Sequence, residues 1–327
     1  MQVTGIKKRV VGVDISNERT TCAIVDIRGN IIASTYFPTN EYPDINRFST
    51  KLADTIISLS EANGGYETIR SIGISCPSSN RVSGCIENAA NLPWKGIVPL
   101  AAILRDRIGQ AVILGNDAHT TALGERIYGS AHGMNDFIVI NLGVGLGSCF
   151  FSAGHEHQGY GGYAGEIGHT CIVDNGRPCP CGLKGCLEAY TAAAGIVQTA
   201  HELMEEQADV PSLMRDQAIL NPRIIAEFCD QGDKLAIEVY RRTGYLLGLG
   251  LATYASIVNP EAIILTGGVS HAGHWLTDPT YESLNNHVFQ NMRDKIKLLV
   301  SELDDRERDV LGASALAWEV PEYSLFK

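Results

Sequence analysis

The chain contains 327 residues, of which 45% are hydrophobic and 19% are charged, and its formal net charge at pH 7 is -11. This composition is typical of a globular protein of about two domains and argues against intrinsic disorder. Nucleic acids and anionic membranes are themselves negatively charged, so the acidic balance disfavours both as partners, although it permits a local pocket for phosphate.

The first part of the sequence predicts a β-sheet with one covering helix. Runs rich in β-branched residues predict strands at Val10–Ile15, Thr20–Ile27, Ile31–Tyr36 and Ile69–Ser75. Between the third and fourth of these strands, apolar residues recur with helical spacing from Ile45 to Ala62. This order of elements favours a layered α/β structure.

Two polar residues follow the next predicted strand. A helix opened by Pro99 and the short strand Ala111–Leu114 lead to Asn116 and Asp117, and another helix follows from Ala118 to Tyr128. Polar side chains at the carboxyl end of a strand commonly face a ligand cleft, which makes Asp117 a candidate functional residue. An Asp before a helix is also common as an N-cap, so the residues alone leave both roles open.

The pattern of elements then begins again. Strands are predicted at Phe137–Leu142 and Ser148–Ser152, followed by a polar, glycine-rich insertion from Gly154 to Gly185. Helices occupy most of Leu187 to Val258, and Ala262–Leu265 predicts a buried strand. We infer an approximate internal duplication, in which each half is a mixed sheet with flanking helices and a cleft lies between the halves.

The duplication predicts two lobes with a boundary near Asp117. The N-terminal α/β lobe then covers residues 1–117, and the C-terminal α/β lobe covers residues 118–327 and carries the glycine-rich insertion. A terminal helix from Asp309 to Trp318 is expected to pack back on the N-terminal lobe.

Several features favour a cytoplasmic protein. The start of the chain has no apolar segment followed by a small-residue cleavage site, and the uncharged stretch from Gly244 to Pro260 contains glycines that favour a buried helix over a membrane span. In the cytoplasm, the nine cysteines are expected as free thiols or metal ligands. Five of them occur singly, and each is interpreted as a buried thiol that acts as a small hydrophobic residue: Cys22, Cys76, Cys85, Cys149 and Cys229.

The remaining cysteines crowd into one short segment with an upstream histidine. One imidazole and three thiolates can complete a tetrahedron around a structural Zn²⁺, and the predicted ligands are His169, Cys179, Cys181 and Cys186. Cys171 is an alternative ligand, ranked lower because Thr170–Val173 predicts a strand that would carry it away from the turn. The other interpretation is that these are four unrelated core residues.

At this segment the sequence becomes similar to a known family. Residues 179–188, Cys-Pro-Cys-Gly-Leu-Lys-Gly-Cys-Leu-Glu, closely resemble the signature of the ROK family of bacterial sugar kinases and sugar-responsive repressors. Residues 164–169 resemble its Glu-x-Gly-His element, and the resemblance extends from Val10 to about Trp318. It implies the actin-like, ribonuclease-H-like ATPase fold with two lobes, and it implies ATP, Mg²⁺ and a hexose as ligands.

The resemblance also implies which residues contact the sugar. Asn116 and Asp117 resemble the family's catalytic pair, with Asp117 as the general base that accepts the proton of the attacking hydroxyl. The implied hexose contacts are Asn91, Asn116, Glu166, His169 and Glu188. The alternatives are a plain turn at Asn91 and solvated surface charges at the two glutamates.

The nucleotide side departs from the family pattern. Kinases of this fold usually carry Asp-x-Gly-Gly-Thr in the first hairpin, whereas residues 14–19 here are Asp-Ile-Ser-Asn-Glu-Arg. Glu18 would bring negative charge towards the phosphates unless it points away, and Arg19 could offset it. The implied ATP contacts are Asp14, Gly143, Gly145, Gly267 and Gly268. Glycine-rich turns also occur without ligands, so this part of the pattern has a structural interpretation as well.

Two functions of different classes follow from these observations. The first is an ATP-dependent hexose kinase, and the second is a sugar-binding regulatory protein with a degenerate phosphate loop. Family repressors carry an N-terminal DNA-binding domain, whereas only nine residues precede the first predicted strand here, so we expect no helix-turn-helix. We favour the kinase, and the resemblance further implies a homodimer.

Overall fold

The computed structural model describes residues 7–89 and 91–321. The described residues divide into two units. The first unit runs to His132 and also includes residues 159–163 and the segment that begins at Glu302, and the second unit contains residues 133–158 and 164–301.

The first unit is built on a five-stranded mixed sheet. Its elements up to His132 are β1 (Arg9–Ile15), β2 (Arg19–Asp26), β3 (Ile31–Pro38), α1 (Ile45–Glu61), β4 (Ile69–Ser75), β5 (Ser79–Asn80), β6 (Cys85–Glu87), β7 (Ile97–Val98), α2 (Leu100–Ile108), β8 (Val112–Gly115) and α3 (Asp117–Tyr128). The strand order is β3-β2-β1-β4-β8, in which β1, β4 and β8 are parallel and β1 to β3 are antiparallel. The carboxyl ends of β1, β4 and β8 therefore meet at one edge of the sheet. The short strands β5 to β7 form a separate antiparallel sheet.

The second unit repeats this arrangement. Its elements are β9 (Phe137–Leu142), β10 (Leu146–Ser152), β11 (His155–Glu156), α4 (Glu188–Thr191), α5 (Ala193–Glu206), α6 (Pro222–Asp230), α7 (Lys234–Val258), β12 (Ala262–Thr266), α8 (His274–His287) and β13 (Lys297–Val300). The sheet order β11-β10-β9-β12-β13 again places an antiparallel hairpin beside two parallel strands. The shared strand order agrees with the internal duplication inferred from the sequence.

A terminal helix, α9 (Arg308–Trp318), completes the first unit. It lies directly on the sheet at two glycines: a Cβ on Gly12 of β1 would lie 2.2 Å from the carbonyl oxygen of Val310, and one on Gly73 of β4 would lie 2.0 Å from that of Ala313. Both distances are far below van der Waals contact, so only glycine permits this approach.

Helix α9 also explains why the two units do not divide at Asp117, where the sequence predicts the domain boundary. A Cβ on Gly312 of α9 would lie 2.4 Å from the carbonyl oxygen of Thr120 in α3. Because α3 packs against α9 this closely, it belongs to the first unit, and the division falls after His132.

The uncharged stretch from Gly244 lies within α7, which packs against α8 in the core of the second unit. A Cβ on Gly244 would lie 2.6 Å from Cγ of Pro279, and one on Gly248 would lie 2.3 Å from the carbonyl oxygen of Thr280. The glycines of this stretch therefore permit close packing of two helices. Within the described part of the chain, every helix is too short or too polar to cross a bilayer.

Candidate active site and metal centre

The carboxyl-end edge of the first sheet carries two of the predicted polar residues. Asn116 caps α3, since its side-chain oxygen accepts a hydrogen bond from the N–H of Ala118 at 3.0 Å. Asp117 is the first residue of α3, and its Oδ1 accepts from the same N–H at 2.9 Å. The cap residue is thus Asn116 rather than Asp117, and the helix N-terminus stabilises the negative charge of Asp117.

Asp14, near the end of β1, forms an acidic cluster with Asp117 and Asp309. Burial raises the pKa of the Asp14 carboxyl well above its usual range, and the charges of Asp309 and Asp117 raise it further, while Arg19 and Arg308 act in the opposite direction. Burial also raises the pKa of Asp309. Crowded carboxylates of this kind favour either a proton or a hard cation such as Mg²⁺. Asp309 was not predicted from the sequence, because only the docking of α9 brings it near β1.

The raised pKa of Asp14 gives a testable pH dependence of stability. Above the pKa of an unfolded Asp, about 3.9, the folded protein holds the Asp14 proton more tightly than the unfolded chain, so stability is lost as the pH rises through the raised pKa. Asp14→Asn should therefore match the wild type near pH 4 and have the higher Tm at pH 8, in calorimetric scans without divalent cations. The control Asp54→Asn, at an exposed position of α1, should leave the pH dependence unchanged. Equal Tm values for the Asp14 variant and the wild type at pH 8 would contradict this interpretation.

The altered turn of the first hairpin is closed by hydrogen bonds between the Ser16 side chain and the backbone of Arg19. The Ser16 hydroxyl donates to the carbonyl oxygen of Arg19 at 3.0 Å, and the N–H of Arg19 lies 3.2 Å from that hydroxyl. Ser16, Asn17 and Glu18 all avoid positive φ, so this turn does not require the glycines of the family pattern. The Arg19 guanidinium lies 5.5 Å from the ring centroid of Tyr36.

The four predicted metal ligands come together in the second unit. Their donor atoms all lie within 4.8 Å of one another. Cys179 Sγ lies 3.8 Å from His169 Nδ1, and Cys181 Sγ lies 3.7 Å from Cys186 Sγ. Bonds of about 2.3 Å to sulfur and about 2.0 Å to nitrogen give a tetrahedron with edges of roughly 3.6–3.8 Å. The donor set therefore fits Zn²⁺, and the sulfur separation is far longer than a disulfide bond of about 2.05 Å.

Cys171 lies outside this donor set. The strand predicted at Thr170–Val173 is not formed, because Cys171 makes only an isolated bridge to Cys186. Its thiol points to the carbonyl oxygen of Val173 at 3.5 Å instead. All nine cysteines are free thiols in the structure. Of the five single cysteines predicted to be buried, four are buried, whereas Cys85 is only half-buried.

Of the predicted sugar-binding residues, His169 is itself a predicted metal ligand, and Glu166 and Glu188 lie beside the predicted ligands. His169 ends a short turn, Ile167–His169, and directs Nδ1 at Cys179. With Nδ1 bound to a metal, Nε2 on the other side of the ring would carry the proton and could donate to a hydroxyl. Glu166 directly precedes the turn and is exposed, and Glu188 begins α4 with Oε1 at 3.8 Å from Cys179 Sγ.

The predicted glycine positions have different structural roles. Gly267 has a φ of +87°, and a Cβ there would lie 2.4 Å from the carbonyl oxygen of Leu142, so packing alone requires this glycine. A Cβ on Gly143 or Gly268 would meet nothing within 4 Å. A Cβ on Gly145 would lie 2.7 Å from a carboxylate oxygen of Glu188. Backbone open to a ligand is therefore found at Gly143 and Gly268.

Asn91 is exposed in the turn between β6 and β7. The turn is anchored by Trp94, whose Nε1 donates to the carbonyl oxygen of Tyr42 at 3.1 Å and whose ring centroid lies 4.3 Å from that of Phe48. Trp94 is thus a buried packing residue of this turn, and the sugar contact of Asn91 stays a prediction.

Comparison with known proteins places this chain in a family. A model of the ROK family matches residues 10–320. The chain belongs to the ROK family. A glucokinase from Halalkalibacterium halodurans is 31% identical over 311 residues, which are 94% of this chain and 94% of that protein. A xylose repressor from Caldicellulosiruptor bescii is 27% identical over 331 residues, which are 99% of this chain and 82% of that protein.

A solved structure extends this likeness to the ROK fold. The ROK family glucokinase from Streptomyces griseus, in complex with glucose and AMPPNP, is 28% identical with a TM-score of 0.77 and covers 95% of this chain and 100% of that chain. The chain therefore has the actin-like ATPase fold of ROK sugar kinases, as the resemblance implied.

Proposed function

We propose that this ROK protein is an ATP-dependent hexose kinase. The observation that carries the proposal is the placement of Asp117 at the N-terminus of α3, with Asn116 as the cap and Asp14 at the same sheet edge. Relatives that are glucokinases support the same activity. A coupled assay of ATP turnover against a panel of hexoses tests it, and turnover with none of them would reject it.

In this mechanism the chain supplies positioning and charge. Asp117 accepts a hydrogen bond from the attacking hydroxyl and orients its oxygen towards the γ-phosphoryl group. It takes the proton as the bond from that oxygen to phosphorus forms and the bond between the γ-phosphorus and the leaving ADP breaks. Asn116 offers a donor and an acceptor to a neighbouring hydroxyl. Asp14 would hold the Mg²⁺ that accompanies ATP and neutralises charge on its phosphates.

We propose that the hexose is held by Asn91, Asn116, Glu166, His169 and Glu188. Ionised carboxylates accept strong hydrogen bonds from neutral hydroxyls, which suits a polyhydroxylated ligand. The family resemblance of the segments that carry these residues supports the assignment.

Glu166→Ala should weaken hexose binding by about 1.5–3 kcal/mol, because it removes an ionised hydrogen-bond acceptor. Glu166→Gln keeps a side chain of the same length with an oxygen that accepts hydrogen bonds, so it should lose less hexose-binding free energy. Calorimetric titration with glucose, mannose and N-acetylated hexoses provides the measurement. Hexose affinity in the alanine variant equal to that of the wild type would place the sugar elsewhere.

We propose that the adenine base of ATP occupies an apolar cleft of about 480 Å³ between α5 and the start of α6. Its walls include Ala193, Val197, Leu220 and Pro222. The N–H of Ala193 donates to the carbonyl oxygen of Gly143 at 3.0 Å, so the cleft adjoins the glycine-rich loop whose backbone is open to a ligand. An apolar cleft beside a loop that is sterically accessible at Gly143 suits a planar base followed by phosphates.

Val197→Trp should raise the KM for ATP by about tenfold or more, because the larger ring fills the cleft, while the KM for the hexose changes little. Ile257→Trp is the control, since Ile257 is 73% exposed on α7 of the same unit. Steady-state kinetics with each substrate varied in turn separates the two effects. An unchanged KM for ATP in the Val197 variant would place the base in another cleft.

The second candidate function is a regulatory sugar-binding protein. It is favoured by the altered hairpin at residues 16–18 and by the likeness to a xylose repressor. Its signature would be hexose binding without ATP turnover for any hexose of the panel. The homodimer and the cytoplasmic location stay predictions, and light scattering of the purified protein tests the first of them.

A further inference from the structure

The carboxylate of Glu188 contacts the glycine-rich loop as well as the metal ligands. Its Oε2 accepts a hydrogen bond from the N–H of Leu146 at 2.8 Å, and its Oε1 lies 3.8 Å from Cys179 Sγ. Leu146 is the first residue of β10 and follows residues 143–145 directly. One side chain therefore connects the loop to the metal cluster.

The backbone of Glu188 is fixed from the other side. The preceding residue, Leu187, is fully buried, and its N–H donates to the carbonyl oxygen of Thr170 at 3.0 Å. Glu188 then begins the short helix α4. A carboxylate held this firmly can position what it binds.

The glycine-rich loop is shaped to admit this carboxylate. A Cβ on Gly145 would lie 2.7 Å from Oε2 of Glu188, so the absent side chain makes room for the contact. The loop is otherwise held by a hydrogen bond from the N–H of Gly143 to the carbonyl oxygen of Gly145 at 2.9 Å, and by the N–H of Ala193. Glu188 supplies the charged contact that fixes the point where the loop enters β10.

We propose that Glu188 is a positioning residue for the glycine-rich loop, and that it thereby sets nucleotide affinity in addition to any contact with the sugar. This inference rests on the proposed ATP site at Gly143. By holding the N–H of Leu146, the carboxylate orients the peptide groups of the loop before a nucleotide arrives, and preorganised donors lose less entropy on binding.

Two substitutions of Glu188 test the positioning role, since one removes the hydrogen-bond acceptor and the other keeps it. Glu188→Ala removes the acceptor and leaves the N–H of Leu146 without it, whereas Glu188→Gln retains a side-chain oxygen of the same reach. Glu205→Ala is the control, because it removes an exposed carboxylate on α5 of the same unit, outside the proposed sugar and nucleotide sites. Far-ultraviolet circular dichroism establishes that each variant is folded, and elemental analysis establishes that it contains zinc.

Hydrogen exchange of the amides of residues 143–147 in the ligand-free protein is the first measurement. We expect faster exchange in Glu188→Ala and near wild-type exchange in Glu188→Gln and Glu205→Ala. The second measurement is the Kd of AMPPNP by calorimetry. This Kd should rise by about tenfold or more in Glu188→Ala, because that variant loses a charge-assisted hydrogen bond, and it should rise much less in Glu188→Gln.

The two measurements keep this inference distinct from the proposed function. Exchange rates and AMPPNP affinity that are both unchanged in a folded Glu188→Ala would overturn the positioning role, even if hexose binding falls. Failure of the wild type to bind AMPPNP would instead reject the ATP site itself, and with it the effect of Glu188 on nucleotide affinity. Altered exchange together with weaker AMPPNP binding, largely restored in Glu188→Gln, supports the proposal.

Discussion

Replacing Asp117 with asparagine should lower kcat by about 10²–10⁴-fold and leave the Kd of the hexose nearly unchanged. Asparagine keeps the size of the side chain and an oxygen that can accept from the N–H of Ala118, so the start of α3 is preserved. What it loses is the capacity to take a proton from the attacking hydroxyl. The measurements are single-turnover kinetics and calorimetric titration with the hexose.

The control for this prediction is Asp106→Asn, an exposed carboxylate on α2 that changes the net charge by the same amount. It should retain the wild-type kcat. If Asp117→Asn also retains kcat within roughly threefold, the base lies elsewhere and the mechanism proposed above is wrong.

Removal of zinc should abolish hexose binding. A structural Zn²⁺ contributes strongly to local folding, and here the ligand His169 and the neighbouring Glu166 and Glu188 are also the proposed sugar contacts. We expect about one zinc per chain by elemental analysis, and a loss of hexose affinity of at least about 10²-fold after a strong chelator extracts it. Added Zn²⁺ should restore binding.

Two exposed cysteines give this experiment a matched pair of variants. Cys181→Ser removes a ligand and should lower zinc content and hexose affinity together. Cys171→Ser changes a thiol outside the donor set and should alter neither. Hexose binding that persists in a zinc-free Cys181 variant would separate the metal from the sugar site.

The cluster of His169 and three cysteines could be predicted from the sequence because its members lie in one short segment. Cys179, Cys181 and Cys186 are separated by tight turns, so local chain geometry alone brings the three sulfurs together. The same holds for Asn116 and Asp117, which follow a recognisable strand and precede a recognisable helix. Patterns of this kind need no knowledge of tertiary packing.

Features that depend on distant contacts could not be predicted. Asp309 approaches Asp14 only because α9 docks on β1, and nothing in either local sequence records that docking. Gly12 and Gly73 are interior strand positions, and their requirement for glycine becomes evident only from the carbonyl groups of α9 that lie against them. The hydrogen bond from Leu146 to Glu188 likewise joins residues far apart in the chain.

The position of α9 in the first unit has a consequence for biosynthesis. The ribosome makes the strands β1 and β4 early, but the helix that covers them emerges only after the whole second unit, which ends at Ser301, has been made. Until then the buried residues Val10, Ala23 and Val25 lack their partners from α9 and remain open to solvent. The second unit is thus able to finish folding before the first, and the nascent N-terminal sheet is the surface that a chaperone would have to shield.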